Sequence, residues 1–175
     1  VCYNYNGEDV AILSSADDGM KIYDGTTVTE VDSAPSVSSM CIHGERLFLT
    51  DGSENNSLWF SDDFDPGNWN VSLSEAGFID MSGSRGRLLK AIAFGGYVYV
   101  FRTYGITRVY AYGDQSSFSV ADLFVSSGKI RGDSITVCGD SVLFLASDGL
   151  YRFDGLSTVR ISDAYRDFLD LGYEY

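Results

Sequence analysis

Apolar and polar positions alternate along this chain in short runs that are cut, again and again, by a glycine. Four stretches share one plan: "YNYNGEDVAIL" (Tyr3–Leu13), "MCIHGERLFL" (Met40–Leu49), "AIAFGGYVYV" (Ala91–Val100) and "TVCGDSVLFL" (Thr136–Leu145). In each, a short alternating segment reaches a glycine, turns within two or three residues, and leaves as a run of β-branched, aromatic and aliphatic residues. That is the pattern of a β-hairpin, because period-two alternation marks a strand and a tight turn demands the positive φ that glycine adopts without steric cost. The anchoring glycines, Gly7, Gly44, Gly95 and Gly139, are 37, 51 and 44 residues apart, an average of 44. After each hairpin comes a third strand with aromatics ("MKIYDG", "SLWFSD", "ITRVYAYGD", "LYRFDG"). A fourth, weaker one follows ("TVTEVD", "GFIDMS", "SFSVADLFV", "STVRIS").

A near-verbatim phrase supports the repeat. "DDGMKIYDGTTVTEVD" (Asp17–Asp32) returns as "SDGLYRFDGLSTVRIS" (Ser147–Ser162), with Gly19 and Gly149 separated by 130 residues, three repeat lengths. Four strands per unit at about 44 residues is the period of β-propeller blades. The expected fold is therefore all-β: a propeller of about four four-stranded antiparallel blades, at residues 1–34, 35–83, 84–127 and 128–162. Blades stack through both faces, which is why "RLFLT" and "SVLFLAS" read as nearly continuous apolar runs. Four such blades either close a ring alone or form part of one with five to eight blades. A short C-terminal helix or tail is expected over 163–175, with Ser162 as its cap, Leu171 near its end and Gly172 behind it.

Composition agrees with many short strands and tight turns: 19 Gly against 2 Pro, with 12 Tyr and 11 Phe. The net charge of −13 repels phosphate backbones, so no direct nucleic-acid binding is expected, and a basic partner suits the surface better. No apolar run approaches the roughly 20 residues that span a bilayer, and no membrane association is expected. The chain opens without a basic-then-apolar leader, so no signal peptide is expected, and it starts on Val1 without an initiator Met, which leads us to expect a piece of a longer protein. Cys2, Cys41 and Cys138 are odd in number and lack metal-ligand spacing. Cys41 and Cys138 sit on apolar strand patterns, as free cysteines that behave as small hydrophobes do.

Candidate chemistry is sparse. "SDDFDPGNW" (Ser61–Trp69) resembles the Asp-box turn of sialidases and other propellers. It reads as a folded structural turn in which Asp63 and Asp65 accept backbone N–H bonds, Ser61 opens the turn and Trp69 packs between blades. The acidic groups Asp17/Asp18 and Asp62/Asp63/Asp65 would serve a glycosidase only if two carboxylates flanked one bond, and both fall at turn positions of the repeat. The single histidine, His43, lies beside a turn glycine, so a multi-histidine metal site is excluded. The tripeptide Arg131-Gly132-Asp133 approaches a strand rather than a loop tip, and "DGSENNS" (Asp51–Ser57) lacks the spacing of a calcium loop. No phosphate-gripping glycine motif occurs, and no cofactor or metal is expected. Trp59, Trp69, Tyr110 and Tyr112 are the aromatics suited to an interaction or glycan-stacking surface.

In order along the chain, "GERLFLTDGSENNSLWFSDDFDPGNWN", "LLKAIAFGGYVYVFRTYGITRVYAY" and "GKIRGDSITVCGDSVLFLASDGLYRFDG" resemble blocks of the β-propeller domains of tailed-bacteriophage virion proteins. The resemblance covers roughly residues 39–162. It departs at Lys129-Ile130-Arg131-Gly132, where that family carries a small residue or Cys. It implies a non-enzymatic structural and protein-interaction domain in tail or head-to-tail assembly. Other virion proteins would be its partners, a homo-oligomer within a virion ring is one arrangement, and the particle would be assembled in the bacterial host cytoplasm. The alternative is a carbohydrate-binding, lectin-like propeller for host recognition.

Overall fold

The computed structural model describes residues 1–15, 17–52 and 56–165. Among these described residues, sixteen strands form four separate four-stranded sheets, each an antiparallel meander in chain order. Blade 1 holds β1 (Cys2–Tyr5), β2 (Glu8–Ser15), β3 (Gly19–Tyr23) and β4 (Val28–Val31). Blade 2 holds β5 (Val37–His43), β6 (Arg46–Asp51), β7 (Ser57–Phe60) and β8 (Gly77–Asp80). Blade 3 holds β9 (Leu88–Phe94), β10 (Tyr97–Arg102), β11 (Gly105–Tyr110) and β12 (Ser119–Val125). Blade 4 holds β13 (Thr136–Cys138), β14 (Ser141–Ala146), β15 (Gly149–Phe153) and β16 (Thr158–Arg160). The fold is the expected all-β propeller architecture of four such blades.

Helix is confined to short 3-10 turns among the described residues, and none is long and apolar enough to cross a membrane. One of them, Asp163–Tyr165, begins where the C-terminal helix was expected, and residues 166–175 lie outside the described residues. The helix that Ser162 was expected to cap lies mostly outside the described residues. The Ser162 hydroxyl accepts the Leu150 N–H at 3.0 Å and ties this segment to blade 4.

The hairpin glycines are not all equivalent. Tyr5 pairs with Glu8, His43 with Arg46, Phe94 with Tyr97 and Cys138 with Ser141, so the two-residue turns are Asn6-Gly7, Gly44-Glu45, Gly95-Gly96 and Gly139-Asp140. Gly7 is thus the second turn residue, whereas the other three glycines are the first. Asn6 takes the first position at φ 54°, a conformation asparagine tolerates better than most side chains. The one-residue offset matters because it moves every following side chain to the other face of the sheet. Val10 is therefore the counterpart of Phe48, Tyr99 and Leu143.

With that register, every junction between blades joins the same two surfaces. Val10 and Ile12 of blade 1 pack on Leu47 and Leu49 of blade 2, with Trp69 in the same seam. Phe48 and Phe60 of blade 2 meet Val98 and Val100 of blade 3. Tyr99 and Phe101 of blade 3 meet Val142, Phe144 and Phe153 of blade 4. The last seam is an aromatic lattice, with edge-on contacts at 5.3 Å for Phe101–Phe144 and 5.0 Å for Tyr99–Phe153. Each fully buried Phe or Leu in these seams contributes roughly 1.5–3 kcal/mol of transfer free energy.

Three seams join four blades, and no buried cluster links blade 4 back to blade 1 among the described residues. The motif residues that repeat between the end blades show the consequence. Tyr23 and Phe153 occupy the same place in the repeated phrase, yet Phe153 is fully buried and Tyr23 is 39% exposed. Phe153 packs against blade 3, whereas no blade among the described residues lies against Tyr23.

The repeated Asp-Gly pair has one local cause in both copies. Asp24 Oδ1 accepts the N–H groups of Thr26 and Thr27 at 2.8 and 2.7 Å, and Asp154 Oδ1 accepts those of Leu156 and Ser157 at 2.9 and 2.7 Å. Gly25 and Gly155 then turn at φ 95° and 96°, where a side chain would be strained. These bonds hold the Asp154 carboxyl down at about 2, and depress Asp24 for the same reason.

Candidate interaction surface

The turn after β7 is densely hydrogen-bonded. Ser61 is fully buried, and its Oγ accepts the Leu47 N–H at 3.0 Å. Asp62 is the hub: Oδ1 accepts the N–H groups of Asp63 and Glu75 at 3.0 and 2.9 Å, and Oδ2 accepts Asn68 Nδ2 at 2.9 Å. Asp65 accepts the Gly67 N–H at 3.0 Å. Asp63 has a different role from the amide acceptor expected of it. Its carboxylate lies 2.7 Å from Nη2 of Arg46, which is itself only 3% exposed. Nη1 of Arg46 donates to the carbonyls of Ser61 and Glu75 at 2.9 and 2.7 Å. Trp69 is buried in the seam between blades 1 and 2 and donates Nε1–H to the Pro66 carbonyl at 3.0 Å.

No pattern in the sequence marks what this network displays. Phe64, at the tip of the turn, is held at φ 56° with its side chain 67% exposed, and its N–H donates to the Glu45 carbonyl at 3.1 Å. Positive φ is costly for a bulky residue and persists only where surrounding bonds over-determine it. Further along the same loop Leu73 is 85% exposed. A loop anchored by buried Trp69 and Ser61 thus holds two large apolar side chains in solvent.

The four aromatics expected to form one surface do not come together. Trp69 is buried, and Trp59 packs on Phe78 at 4.9 Å on the blade 1 side of blade 2. Tyr110 and Tyr112 do meet, at 5.1 Å, and both are 44% exposed. Tyr97 extends the group at 6.2 Å from Tyr110 and carries the Arg108 guanidinium 4.7 Å over its ring. Tyr112 donates to the Gly96 carbonyl at 2.9 Å and abuts the His43 ring edge-on at 4.8 Å. His43 is buried, and burial lowers its pKa against the opposing pull of Glu45. Arg108 beside Tyr97, like Phe64, is visible only once the register is known.

Phe64 stands against the Gly44-Glu45 turn and Tyr112 against the Gly95-Gly96 turn, so both belong to the hairpin-turn end of the blades. At the same end, a cleft of about 530 Å³ opens between blade 1 and the blade 2 loop, lined by Tyr5, Ile22, Asp24, Glu30, Asp32 and Asp65. Burial raises the Tyr5 pKa, and Asp65 adds to it.

The acidic groups weighed for hydrolysis lie apart. Asp62, Asp63 and Asp65 sit by the β5–β6 turn, whereas Asp18 is bound to Ser15 at the far end of β2. Arg131 and Asp133 pair with each other at 3.5 Å across a short turn, with Gly132 close against Leu89. Cys41 is buried, which pushes its thiol up to about 12, while Cys2 and Cys138 are exposed and unlinked. Cys138 therefore lacks the buried environment its strand pattern suggested: all three residues of β13 are exposed. Among the described residues, no group of three or more His, Cys, Asp or Glu side chains is arranged to hold a metal ion. Asp51–Ser57 falls partly outside the described residues.

The sequence matches no family model and no curated protein. Solved structures do match in fold. One is PorZ, a surface component of the type-IX secretion system of Porphyromonas gingivalis, at TM-score 0.58 and 14% identity over 87% of this chain. Another is BBS1N, crystallised in complex with ARL6DN, at TM-score 0.59 and 10% identity over 91% of this chain. The match spans 19% of the PorZ chain and 52% of the BBS1N chain. PorZ is propeller-like, and at these identities the likeness concerns the fold alone. The chain is an array of β-propeller blades.

Proposed function

We propose that this chain is a non-enzymatic protein-interaction module that engages its partner through the hairpin-turn end of blades 2 and 3. The observation that carries the reading is the preorganised display of Phe64 on a tied-down loop, with Leu73 further along it, at the same hairpin-turn end of the blades as the exposed Tyr110–Tyr112 pair. Exposed apolar anchors on a rigid frame lose little freedom on binding, which is how such surfaces gain affinity. Glu45 and Asp63 lie alongside and suit a partner with basic residues at its rim. The separation of the two acidic groups supports a role without hydrolysis. The finer reading is assembly of a bacteriophage tail or head-to-tail connection inside the bacterial host, and its support is the ordered resemblance over residues 39–162.

The test is binding of the purified chain to candidate virion proteins by interferometry. The double variant Phe64→Ala/Tyr112→Ala should weaken the complex at least tenfold while the circular dichroism spectrum is unchanged. Binding indifferent to both changes would refute the surface. A carbohydrate-binding role is the second reading, favoured by the Tyr97–Tyr110–Tyr112 group with Arg108. Reproducible glycan-array hits lost with Tyr110→Ala would replace the first reading with this one.

A further inference from the structure

At the hairpin-turn end, two of the three seams are closed by aromatic side chains. Between blades 2 and 3, Phe118 of the β11–β12 connection packs on Phe48 and Phe60, at 6.3 and 5.1 Å. Between blades 3 and 4, the Tyr99 ring meets Phe153 at 5.0 Å and its hydroxyl donates to the Gly155 carbonyl at 2.9 Å. Between blades 1 and 2, Trp69 enters the seam, yet the cleft of about 530 Å³ remains. One wall is the blade 1 face that meets blade 2, with Val10 and Ile22; the other is the turn after β7, with Asp65 and Gly67. Gly67 lets the two approach, since a Cβ there would stand 3.7 Å from Ile22 Cδ1.

We propose that this cleft is a socket for one lysine side chain of the partner, a residue-level claim that rests on the interaction reading above. The lining offers both things a lysine needs. Val10, Ile22 and the Tyr5 ring give apolar and aromatic surface for its four-carbon stem. Asp24, Asp32 and Asp65 give negative charge for its head, and among the described residues no cation pairs with any of the three. Glu30 also lines the cleft, but Lys21 lies 3.6 Å from it. A cleft walled by protein on two sides focuses the field of such carboxylates, so the attraction for a cation is greater there than on an open surface. The carboxylates also favour ammonium over guanidinium. Asp24 and Asp65 each commit Oδ1 to backbone N–H groups, and the Tyr5 hydroxyl bonds to Asp65 as well. Neither therefore presents the free pair of oxygens that an arginine fork grips, whereas a point charge needs only one.

Titration of the isotope-labelled 175-residue chain with Nα-acetyl-lysine methylamide, followed by NMR, tests this. Saturable shifts are expected at the Ile22 methyl and the Gly67 amide. The norleucine analogue, which keeps the stem and lacks the ammonium, should bind about fivefold more weakly or worse. Asp32→Asn should weaken the lysine probe about threefold. Gly67→Leu fills the cleft without altering charge, and Thr29→Lys offers it an ammonium from its own exposed wall, so each should abolish the Ile22 shift with the circular dichroism spectrum unchanged. Absence of saturable shifts overturns the socket, as do shifts that sodium chloride of equal ionic strength reproduces. Equal binding of the norleucine analogue, or indifference to both Gly67→Leu and Thr29→Lys, overturns it too. Tighter binding of Nα-acetyl-arginine methylamide would refute the choice of lysine. The two readings fail separately: lysine binding at Ile22 and Gly67 in a chain whose partner binding ignores Phe64→Ala/Tyr112→Ala upholds the socket and refutes the surface, whereas partner binding that needs those aromatics but survives Gly67→Leu and Thr29→Lys refutes the socket alone.

Discussion

Phe101 and Leu145 stand at the same place in successive blades, and truncating each tests how much the packing of that position differs between blades 3 and 4. Phe101 is fully buried, 5.3 Å from Phe144 and 6.2 Å from Phe153. Its replacement by alanine removes a ring from a close-packed seam and leaves a cavity that flanking strands cannot collapse into. Phe→Ala changes of this kind cost about 3–5 kcal/mol. Leu145 is only half-buried, so Leu145→Ala forfeits about half of the usual leucine penalty, roughly 1–2 kcal/mol. For a chain of this size each kcal/mol moves the melting temperature by about 2–4 °C, so Phe101→Ala should lower it by roughly 10 °C and Leu145→Ala by roughly 4 °C. The assay is urea unfolding at submicromolar protein, comparing midpoints at constant slope. Equal costs at the two sites would mean that Leu145 is packed as tightly as Phe101, and the reasoning from burial would fail. A Phe101→Ala cost under about 1 kcal/mol would show that the seam is not packed as described.

Three further outcomes follow from individual contacts. Ser61→Ala leaves the buried Leu47 N–H without its acceptor and should cost about 1–3 kcal/mol, read together with faster amide exchange at Leu47; unchanged exchange would contradict the role given to the hydroxyl. Gly25→Ala and Gly155→Ala both force alanine into positive φ, for about 1–2 kcal/mol, but only at Gly155 would the new Cβ also press on the Tyr99 hydroxyl, at 3.1 Å. Thermal melts should therefore rank Gly155→Ala as the more damaging, and the reverse order would refute the seam geometry. Burial, reinforced at Tyr151 by the hydroxyl bond to Asp148, raises Tyr151 and Tyr3 from 10 to about 12. The folded state thus holds the neutral phenols, and the stability they lend is complete below pH 10 and lost as pH rises through about 12. Tyr151→Phe should flatten that alkaline loss, whereas a Tyr151 phenol ionising near 10 in the folded chain would rule the effect out.

Much of the candidate surface was illegible in the sequence for one reason: its parts depend on register and on tethering. Tyr110 and Tyr112 were visible as aromatics, but nothing in their spacing shows that they meet each other and not Trp59. In the turn after β7, the run Asp62-Asp63-Phe64-Asp65 offers three carboxylates for the same amide groups. The fold chose Asp62 as hub because the Arg46 guanidinium at the end of a neighbouring strand claims Asp63. Phe64 reads as one more aromatic in an aromatic-rich chain until the loop forces it outward.

By itself the sequence determined everything governed by a few neighbouring residues. Alternation sets the strands, Gly and Asn set the hairpin turns, and an Asp two or three residues ahead of free amides sets the Asp24 and Asp154 turns. Repetition of these signals at about 44 residues sets the blade count. Only the tertiary structure decided which faces are covered. Tyr23 and Phe153 sit in the same words of the same phrase, and one is wet and the other dry, because alternation records that a face is apolar and not whether a blade lies against it. The one-residue offset at Asn6-Gly7 belongs to the same class: it is invisible in a count of glycines, yet it decides which side of blade 1 meets blade 2.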